Sequence, residues 1–339
     1  MPARSGRPGA GGARQQPVRA RGARRAARVV GGGTVRVAAI DCGTNSVRLL
    51  IADIAGDELT DVERRMEIVR LGQGVDRTGR LAPEALERTF AAMRGYRKLI
   101  DQHGAGSTRV VATSATRDAA NRDEFVAGVL EIFGVEPEVV PGSEEARLSF
   151  TGATRGAQGP AQAPFLVVDI GGGSTEFVVG SEEAQAALSV DIGCVRLTER
   201  HLRDAGDPPT AEAVDRVTAD IEAALDQVAA AVPVDGARTL VGLAGSVTTV
   251  AGIALDLPEY DPERIHHSRI PAARVHEVSA GLLSMAHDER AAIPVMHPGR
   301  VDVIAAGALI LDRIVRRFGF TDVVVSEHDI LDGIAWSQV

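Results

Sequence analysis

The chain has 339 residues, more than a single hydrophobic core usually supports, so two domains are expected. Apolar residues make up 45% and charged residues 24% of it, an ordinary composition for a globular protein. Aromatic residues make up 3% and the formal net charge is −9, which argues against binding of nucleic acid by base stacking or long-range attraction. No specific nucleic-acid partner is therefore expected.

Residues 1–33 differ from the rest, with eight Arg and no acidic residue. Such a segment cannot bury a core, so we expect a disordered Arg-rich tail, with a weak polyanion-binding arm as the alternative. The remaining chain carries 29 Lys and Arg against 46 Asp and Glu, a net charge of −17. A phosphate site in such an acidic body has to rely on local Arg side chains and backbone N–H groups.

Two further features concern location. No run approaches the roughly 18 apolar residues that a membrane span needs, so no membrane partner is expected. The chain has two cysteines, Cys42 and Cys194. So few cysteines argue against a disulfide framework and favour the reducing cytoplasm.

The predicted elements alternate between strands and helices. In the first half they are a hairpin of strands 35–40 and 47–54, a helix opened by Pro83, a strand 109–112, a polar turn 113–116, a helix 123–133, a strand 135–140 and a helix capped by Ser143. A loop over 156–164 leads to the second half: a hairpin within 165–180, a helix 210–232, a strand 240–243, a small-residue turn 244–246, a helix 301–318, a strand 323–325 and a helix 330–336. The alternation predicts an α/β fold.

The two hairpins repeat one strand–turn–strand motif, 128 positions apart: Asp41 aligns with Asp169, Gly43 with Gly171 and Ser46 with Ser174. In each copy an apolar strand ends in an Asp, a tight turn follows, and a second apolar strand begins. The glycines are expected to let the turn take a positive φ and to let an anion approach the backbone N–H groups. A chain that makes this hairpin in each half is predicted to hold phosphates between the halves.

The aspartates suggest a metal. Asp41 and Asp169 can each hold Mg²⁺ that bridges to phosphate oxygens, although an Asp at such a place can also bond its own turn. Seven residues later the copies differ, with Arg48 in the first and Glu176 in the second. This predicts that Arg48 binds phosphate and that Glu176 helps to hold the metal or orient water. The alternative is a solvated strand face or a salt bridge between the lobes.

Three more segments carry candidate residues. Glu144 and Glu145 lie in a predicted first helical turn, where acids are structurally favoured, but a carboxylate there can also deprotonate water. Arg117 follows a strand and a polar turn and can clamp a phosphate or pair with a neighbouring Asp. His266 and His267 are adjacent and are expected to point apart, so no metal site is predicted there.

Seven motifs, in this order, resemble the exopolyphosphatase/guanosine pentaphosphate phosphohydrolase (Ppx/GppA) family: IDCGTNSVRLLI, VATSATRD, GSEEARL, VVDIGGGSTEFV, DIGCVRLTER, GLAGSVTT and SEHDILDGIA. The likeness covers about residues 34–339 and is greatest to the short actinobacterial exopolyphosphatases. It implies the fold of actin, the sugar kinases and the chaperone ATPases, with two ribonuclease-H-like lobes and a cleft between them. The expected lobes are 34–142 and 143–327, with the last helix, 328–339, returning to the first lobe.

The resemblance also implies site residues. Glu145 matches the family's catalytic glutamate, Arg117 its essential arginine, and Asp169 and Glu176 its metal and catalytic residues. The phosphate-binding positions that it implies are Gly43, Thr44, Asn45, Ser46, Gly171, Gly172, Gly173 and Ser174, with Arg70 near the cleft.

The expected activity is hydrolysis of the terminal phosphoanhydride of inorganic polyphosphate with release of orthophosphate, dependent on Mg²⁺ or another divalent metal. Hydrolysis of the 5′-phosphate of guanosine pentaphosphate is the alternative within the family. A nucleotide-gated ATPase switch on the same scaffold is the alternative from another class. A homodimer is expected because dimers are common in this family.

Overall fold

The computed structural model describes residues 33–155 and 162–339. The predicted tail, apart from Gly33, and residues 156–161 of the predicted loop lie outside them.

The first lobe is built on a five-stranded sheet. Its elements are β1 Val35–Cys42, β2 Ser46–Ala55, β3 Glu58–Ile68, α1 Val75–Thr78, α2 Pro83–His103, β4 Ser107–Ala112, α3 Ser114–Asp118, α4 Arg122–Phe133 and β5 Glu138–Val139. The strand order is β3-β2-β1-β4-β5. The first three strands form an antiparallel meander, and β4 and β5 run parallel to β1.

The second lobe is built on a six-stranded sheet of order β10-β11-β9-β6-β7-β8. The second half of the chain contains α5 Gly142–Thr154, β6 Phe165–Ile170, β7 Thr175–Gly180, β8 Ala184–Val190, α6 Cys194–Leu197 with a π-helical turn Thr198–Leu202, α7 Ala211–Ala231, β9 Thr239–Leu243, α8 Ala244–Ala254, α9 Pro262–Ile265, β10 Arg269–Pro271, α10 Ala272–Ser284, α11 His287–Ala291, α12 Ile304–Phe318, β11 Asp322–Val325 and α13 Ile330–Trp336, with 3₁₀ turns at Val234–Gly236 and Pro298–Arg300.

The two sheets share one topology. Strands β8-β7-β6-β9-β11 repeat the order and directions of β3-β2-β1-β4-β5, and β10 adds an antiparallel edge. This duplicated arrangement confirms the predicted α/β class with two lobes. It also places Asp41 and Asp169, the penultimate residues of β1 and β6, at equivalent points of the two sheets.

The first sheet is covered on both faces, so β1 has no polar face. Ala38 and Ile40 pack into the core formed with α2 and α4, whereas Val37 and Ala39 pack against the core that contains Ile334 of α13. Alternate residues of a strand point to opposite faces, which explains why the strand is apolar at nearly every position.

Helices α5 and α13 cross between the sheets. α5 packs on β6, β7 and β8, and α13 packs on β1 and β2. They meet backbone to backbone, because a Cβ on Gly152 would overlap the carbonyl of Asp329 and a Cβ on Gly333 would overlap that of Leu148. The last helix therefore contacts the first sheet, while the division of the chain at 142/143 and 327/328 stays a prediction.

Several local expectations are wrong. Strands β3, β8 and β10 were not predicted; β3 carries charged residues at most positions and is held by its pairing with β2 rather than by its own burial. The predicted strand 135–140 is reduced to Glu138–Val139. The two predicted turns, 113–116 and 244–246, are instead the beginnings of helices that start at Ser114 and Ala244. Ser143 is not a cap, because α5 already begins at Gly142 after Pro141. No helix in 33–155 or 162–339 has the length and apolar character to cross a bilayer.

Candidate active site

The two glycine turns have the same backbone closure. The N–H of Gly43 donates to the carbonyl of Ser46 at 3.0 Å, and the N–H of Gly171 donates to the carbonyl of Ser174 at 3.1 Å. Each turn joins the first two strands of its sheet, β1 to β2 and β6 to β7. The duplication seen in the sequence is therefore a duplication of backbone geometry.

In the second turn the carbonyls are tied to α6. The carbonyl of Gly171 accepts from the N–H of Cys194 at 3.0 Å, and that of Gly172 accepts from the N–H groups of Val195 and Arg196 at 2.9 and 3.0 Å. The C=O and the following N–H of a trans peptide point in opposite directions. The next N–H groups along the turn therefore face away from α6.

The first turn is held in the same way by residues 69–72. The carbonyl of Thr44 accepts from the N–H of Gly72 at 2.8 Å, and that of Asn45 from the N–H groups of Val69 and Arg70 at 3.0 and 2.9 Å. Across 33–155 and 162–339, no protein acceptor is found for the N–H groups of Thr44, Asn45, Gly172, Gly173 and Ser174. Such unpaired donors suit an anion.

Of the two reasons expected for the glycines, the positive φ is wrong. None of Gly43, Gly171, Gly172 and Gly173 has a positive φ. Instead, the opposite lobe lies close: a Cβ on Gly172 would be 2.9 Å from the Cβ of Thr44, and a Cβ on Gly173 would be 2.8 Å from its Oγ1. Gly172 and Gly173 are needed because the first turn packs against the second.

Three carboxylates lie with the turns in one cavity. Asp41 is 3%, Glu145 7% and Asp169 6% exposed. The cavity is lined by these three, by Gly43–Ser46 and Arg48, by Thr113 and Ser114, by Ile170–Gly172 and Ser174, by Cys194, by Ala244–Ser246, by Ile68, Arg300, Val303, Ile304 and Ile330. Glu145 reaches it from the first turn of α5, the segment that joins the lobes.

Burial dominates the electrostatics of these acids. It raises the pKa of Glu145 to about 7, helped by the charges of Asp169 and Asp41 and opposed by Arg117. Burial also raises the pKa of Asp169 to about 6, together with the charge of Asp329 and against a hydrogen bond from Ser149. A carboxylate with a pKa near 7 is matched to proton transfer at neutral pH.

Arg117 lies at the end of α3 and contacts this acid. Its Nη1 donates to Oε2 of Glu145 at 3.0 Å and to the carbonyl of Val140 at 3.1 Å. The alternative weighed for Arg117, a pairing with Asp118 or Asp123, is not formed among the described residues. Oε1 of Glu145 has no protein partner within the described ranges.

The residues seven positions past each aspartate lie directly across the hairpin from it: Arg48 opposite Asp41, and Glu176 opposite Asp169. Arg48 donates to Oδ2 of Asp41 at 2.7 and 2.9 Å and also pairs with Asp329. Arg48 lines the cavity but is already neutralised by two carboxylates, so the predicted phosphate contact has to compete with them.

Four predicted residues do not line the cavity: Arg117, which reaches it only through Glu145, and Gly173, Glu176 and Arg70. Gly173 is covered by Thr44 and Ser114. Glu176 is 1% exposed and accepts from Ser189 at 2.7 Å, and burial raises its pKa well above the usual value. Arg70 pairs with Asp302 at 2.9 Å across the cleft, and its φ is 51°, an uncommon backbone conformation.

The donor set fits Mg²⁺. Oδ1 of Asp41 is buried without a partner, and Asp169 uses Oδ2 for Ser149. Within the residues that the structure describes, no group of three or more His, Cys, Asp or Glu converges as a complete metal cage. Mg²⁺ characteristically takes one or two protein carboxylates, with water and substrate phosphates completing its shell.

Arg300 is a residue that the sequence reasoning missed. It lines the cavity from the 3₁₀ turn before α12, and its Nη1 donates to the carbonyl of Gly245 and to Thr249, both at 3.1 Å. No carboxylate pairs with it among the described residues. Its segment, HPGRVDVI, has no recognisable anion motif, so only the fold reveals its place.

The histidines do not point apart as expected. The rings of His266 and His267 stack with centroids 3.7 Å apart, and His328 lies 4.6 Å from His266. The φ of His267 is 61°, a left-handed conformation in which neighbouring side chains need not diverge as they do in an extended strand.

Comparison with known proteins extends these observations. The family model described as the Ppx/GppA phosphatase family matches residues 50–339. Exopolyphosphatase 2 of Mycobacterium tuberculosis is 51% identical over 315 residues, which cover 89% of this chain and 98% of that protein. Exopolyphosphatase 1 of the same organism is 27% identical over 302 residues, covering 88% and 87%.

Solved structures share the fold. An exopolyphosphatase-like protein matches with a TM-score of 0.87 and 43% identity over 90% of this chain and 97% of that one. The Ppx/GppA family member of Aquifex aeolicus matches with a TM-score of 0.76 and 32% identity over 90% and 98%. The resemblance inferred from the motifs is thereby confirmed: the chain belongs to the Ppx/GppA phosphatase family.

Proposed function

We propose that this protein is an exopolyphosphatase, which hydrolyses the terminal phosphoanhydride of inorganic polyphosphate and releases orthophosphate. One observation carries the proposal: two equivalent turns with unpaired backbone N–H groups lie against each other, and Glu145 lies in the cavity that they line. The Mycobacterium tuberculosis relative, which is named exopolyphosphatase 2 and is matched over 98% of its length, supports the same activity.

The turns are proposed to hold the terminal phosphates. Their free N–H groups carry partial positive charge and need acceptors. Arg300, which has no carboxylate partner in the described chain, adds a full positive charge at the cavity wall. This local charge counters the repulsion of a polyanion by an acidic body.

Glu145 is proposed to orient and deprotonate the attacking water. Arg117 holds Oε2, which leaves Oε1 for a water molecule. Proton abstraction by a positioned carboxylate fits the pKa of about 7. Arg117 would in this arrangement fix the base and place positive charge near the departing phosphate oxygens.

Asp41, through its unpartnered Oδ1, and Asp169 are the residues proposed to hold Mg²⁺. When bound there, Mg²⁺ would supply positive charge that offsets the charge developing on the phosphate oxygens. Glu176, although predicted as a metal residue, lies across the hairpin from Asp169 and does not line the cavity, and it is proposed to act through Asp169.

Guanosine pentaphosphate is the second candidate substrate, because a cavity of about 500 Å³ adjoins the first and shares Arg48, Ala244, Gly245 and Arg300 with it. Met66, Tyr260, Val295 and Met296 line it, a mixture that suits a nucleoside better than a phosphate chain. The names of the Mycobacterium relatives favour polyphosphate, and they favour a hydrolase over the ATP-gated switch.

Orthophosphate release from polyphosphate and from guanosine pentaphosphate, measured side by side with Mg²⁺, tests the proposal. We expect the higher kcat/KM on polyphosphate. A higher kcat/KM on guanosine pentaphosphate would make that nucleotide, rather than polyphosphate, the proposed substrate. Absence of orthophosphate release from both would contradict the proposal. A homodimer and a cytoplasmic location stay predictions.

A further inference from the structure

Arg196 bonds to three acceptors from outside the cavity. Its Nε donates to the carbonyl of Gly173 at 2.6 Å, its Nη1 to Oδ1 of Asp76 at 2.7 Å, and its Nη2 to Oδ2 of Asp118 at 2.6 Å. The side chain is 13% exposed. Arg196 does not line the cavity that contains Glu145, and its Nε, Nη1 and Nη2 all donate to protein acceptors, so a direct contact with the substrate is not what the geometry indicates.

The first bond completes the support of the second glycine turn. The backbone N–H groups of residues 194–196 hold the carbonyls of Gly171 and Gly172, and in the described part of the chain only the side chain of Arg196 holds that of Gly173. Because the peptide is planar, fixing this carbonyl also fixes the direction of the N–H of Ser174. The orientation of one proposed phosphate donor therefore depends on the Arg196 guanidinium.

The other two bonds cross to the first lobe. Asp76 lies in α1, and Asp118 is the last residue of α3, next to Arg117. Hydrogen bonds from Arg200 and Arg196 outweigh burial and lower the pKa of Asp76, so its carboxylate is charged at neutral pH. Arg196 thus links the second turn to the short helix that carries Arg117.

We propose that Arg196 is a positioning residue, which fixes the second glycine turn relative to α3 so that the turn's N–H groups and Arg117 act on the same phosphate. The proposal rests on the proposed function for the identity of that phosphate. The link itself concerns the substrate-free protein and can be tested without turnover.

The shape of the guanidinium is essential to this role. A planar fork presents donors in fixed directions and serves three acceptors at once, whereas a lysine ammonium is a point charge on a flexible stem. Arg196→Lys therefore keeps the charge and loses the simultaneous contacts. Arg200 offers a matched control, because it also pairs with Asp76, at 2.9 Å, and bonds to neither Gly173 nor Asp118.

The experiment compares Arg196→Ala, Arg196→Lys and Arg200→Ala in the full chain by two measurements. The first is hydrogen exchange of the amides of Gly171, Cys194 and Val195, whose bonds report on the turn, without substrate. The second is kcat and KM for orthophosphate release from polyphosphate with Mg²⁺.

We expect faster exchange at these amides in both Arg196 variants and a fall in kcat on the order of a hundredfold, larger than any rise in KM. Arg200→Ala should keep wild-type exchange and change kcat by less than about threefold, as for a partly exposed ion pair. If Arg196→Ala does not fold, the same expectations apply to Arg196→Lys.

Unchanged exchange in the Arg196 variants, full activity of Arg196→Lys, or an equal loss in Arg200→Ala would each overturn the proposal. If the wild-type protein released no orthophosphate, the proposed function would fail, and the exchange measurement would still decide whether Arg196 fixes the turn.

Discussion

Thr44 of the first lobe lies directly against Gly172 of the second, so that a Cβ on Gly172 would be 2.9 Å from the Cβ of Thr44. Thr44 is 7% exposed, and its Oγ1 shares a hydrogen bond of 2.8 Å with Oγ of Ser114. The two glycine turns therefore meet through this pair, and the width of the cleft depends on the absence of a side chain at 172.

Gly172→Ala is expected to push the first turn away and to separate the two sets of N–H groups. A displacement of about 1 Å in a catalytic arrangement can cost on the order of a hundredfold in rate, so we expect a loss of kcat of about tenfold or more. Gly281→Ala in α10, where a Cβ meets only the end of Met285 at 3.9 Å, is the control. Equal activity of the two variants would show that the turns need not touch.

Arg117→Gln is expected to shift the pH dependence of activity. Burial raises the pKa of Glu145 to about 7, and Arg117 is the main group that opposes this rise. Loss of that charge should move the acid limb of kcat/KM upward by about one pH unit, because an adjacent opposite charge lowers a carboxyl pKa by about that much or more. Because kcat itself will fall in the variant, kcat/KM at each pH should be divided by the maximum value for the same protein before the two profiles are compared. An acid limb at the same pH in both proteins would argue against Glu145 as the base.

Glu145→Gln is expected to stabilise the fold at alkaline pH. The folded-state pKa of Glu145 lies above its ordinary value of 4.5, so the folded protein binds this proton more tightly than the unfolded chain. Its contribution is therefore fully present below about pH 4.5 and is lost as the pH rises through about 7. Gln does not titrate, and we expect the variant to be more stable by on the order of 2 kcal/mol at pH 8.

Urea unfolding of the wild type and of Glu145→Gln between pH 5 and pH 8 measures this difference. The extra stability of Glu145→Gln over the wild type should become smaller as the pH falls. A variant that is less stable than the wild type at pH 8 would mean that the ion pair with Arg117 outweighs the burial of Glu145.

The crossing of α5 and α13 predicts a contrast between two glycines. Gly152→Ala should cost about 3 kcal/mol or more, because its Cβ would overlap the carbonyl of Asp329 in a packed interior. Gly95→Ala, in an open stretch of α2 with nothing within 4 Å, should stabilise by about 0.5–1 kcal/mol. Urea unfolding midpoints of the two variants and the wild type measure these changes in stability. A Gly152→Ala variant as stable as the wild type would contradict the backbone contact between α5 and α13.

The sequence predicted the hairpins and the long helices because their signals are local. An apolar strand, an Asp and a glycine turn lie within twenty residues, and the last helix was predicted with the bounds Ile330–Trp336 that it has. The edge strands escaped prediction because pairing with a neighbour, rather than a pattern within the strand, holds β3 in place.

Contacts between distant segments were beyond local patterns. Arg48 was expected to bind phosphate, yet Asp329, 281 residues away, neutralises it together with Asp41. A positive φ was expected at the glycines of the second turn, whereas Thr44, from the other lobe, is what leaves no room for a side chain at Gly172 and Gly173. Arg300 and the cavity beside Tyr260 are likewise assembled from segments far apart in the chain.

The central claim is that Glu145 orients and deprotonates the water that attacks a phosphate held between the two turns. One comparison tests this claim most directly. Orthophosphate release and equilibrium binding of polyphosphate should be measured for the wild type and for Glu145→Gln in the presence of Mg²⁺. We predict a loss of kcat on the order of a hundredfold or more, with a Kd within about threefold of the wild type, because the proton acceptor is lost and the turns remain. Turnover by Glu145→Gln close to that of the wild type would contradict the account.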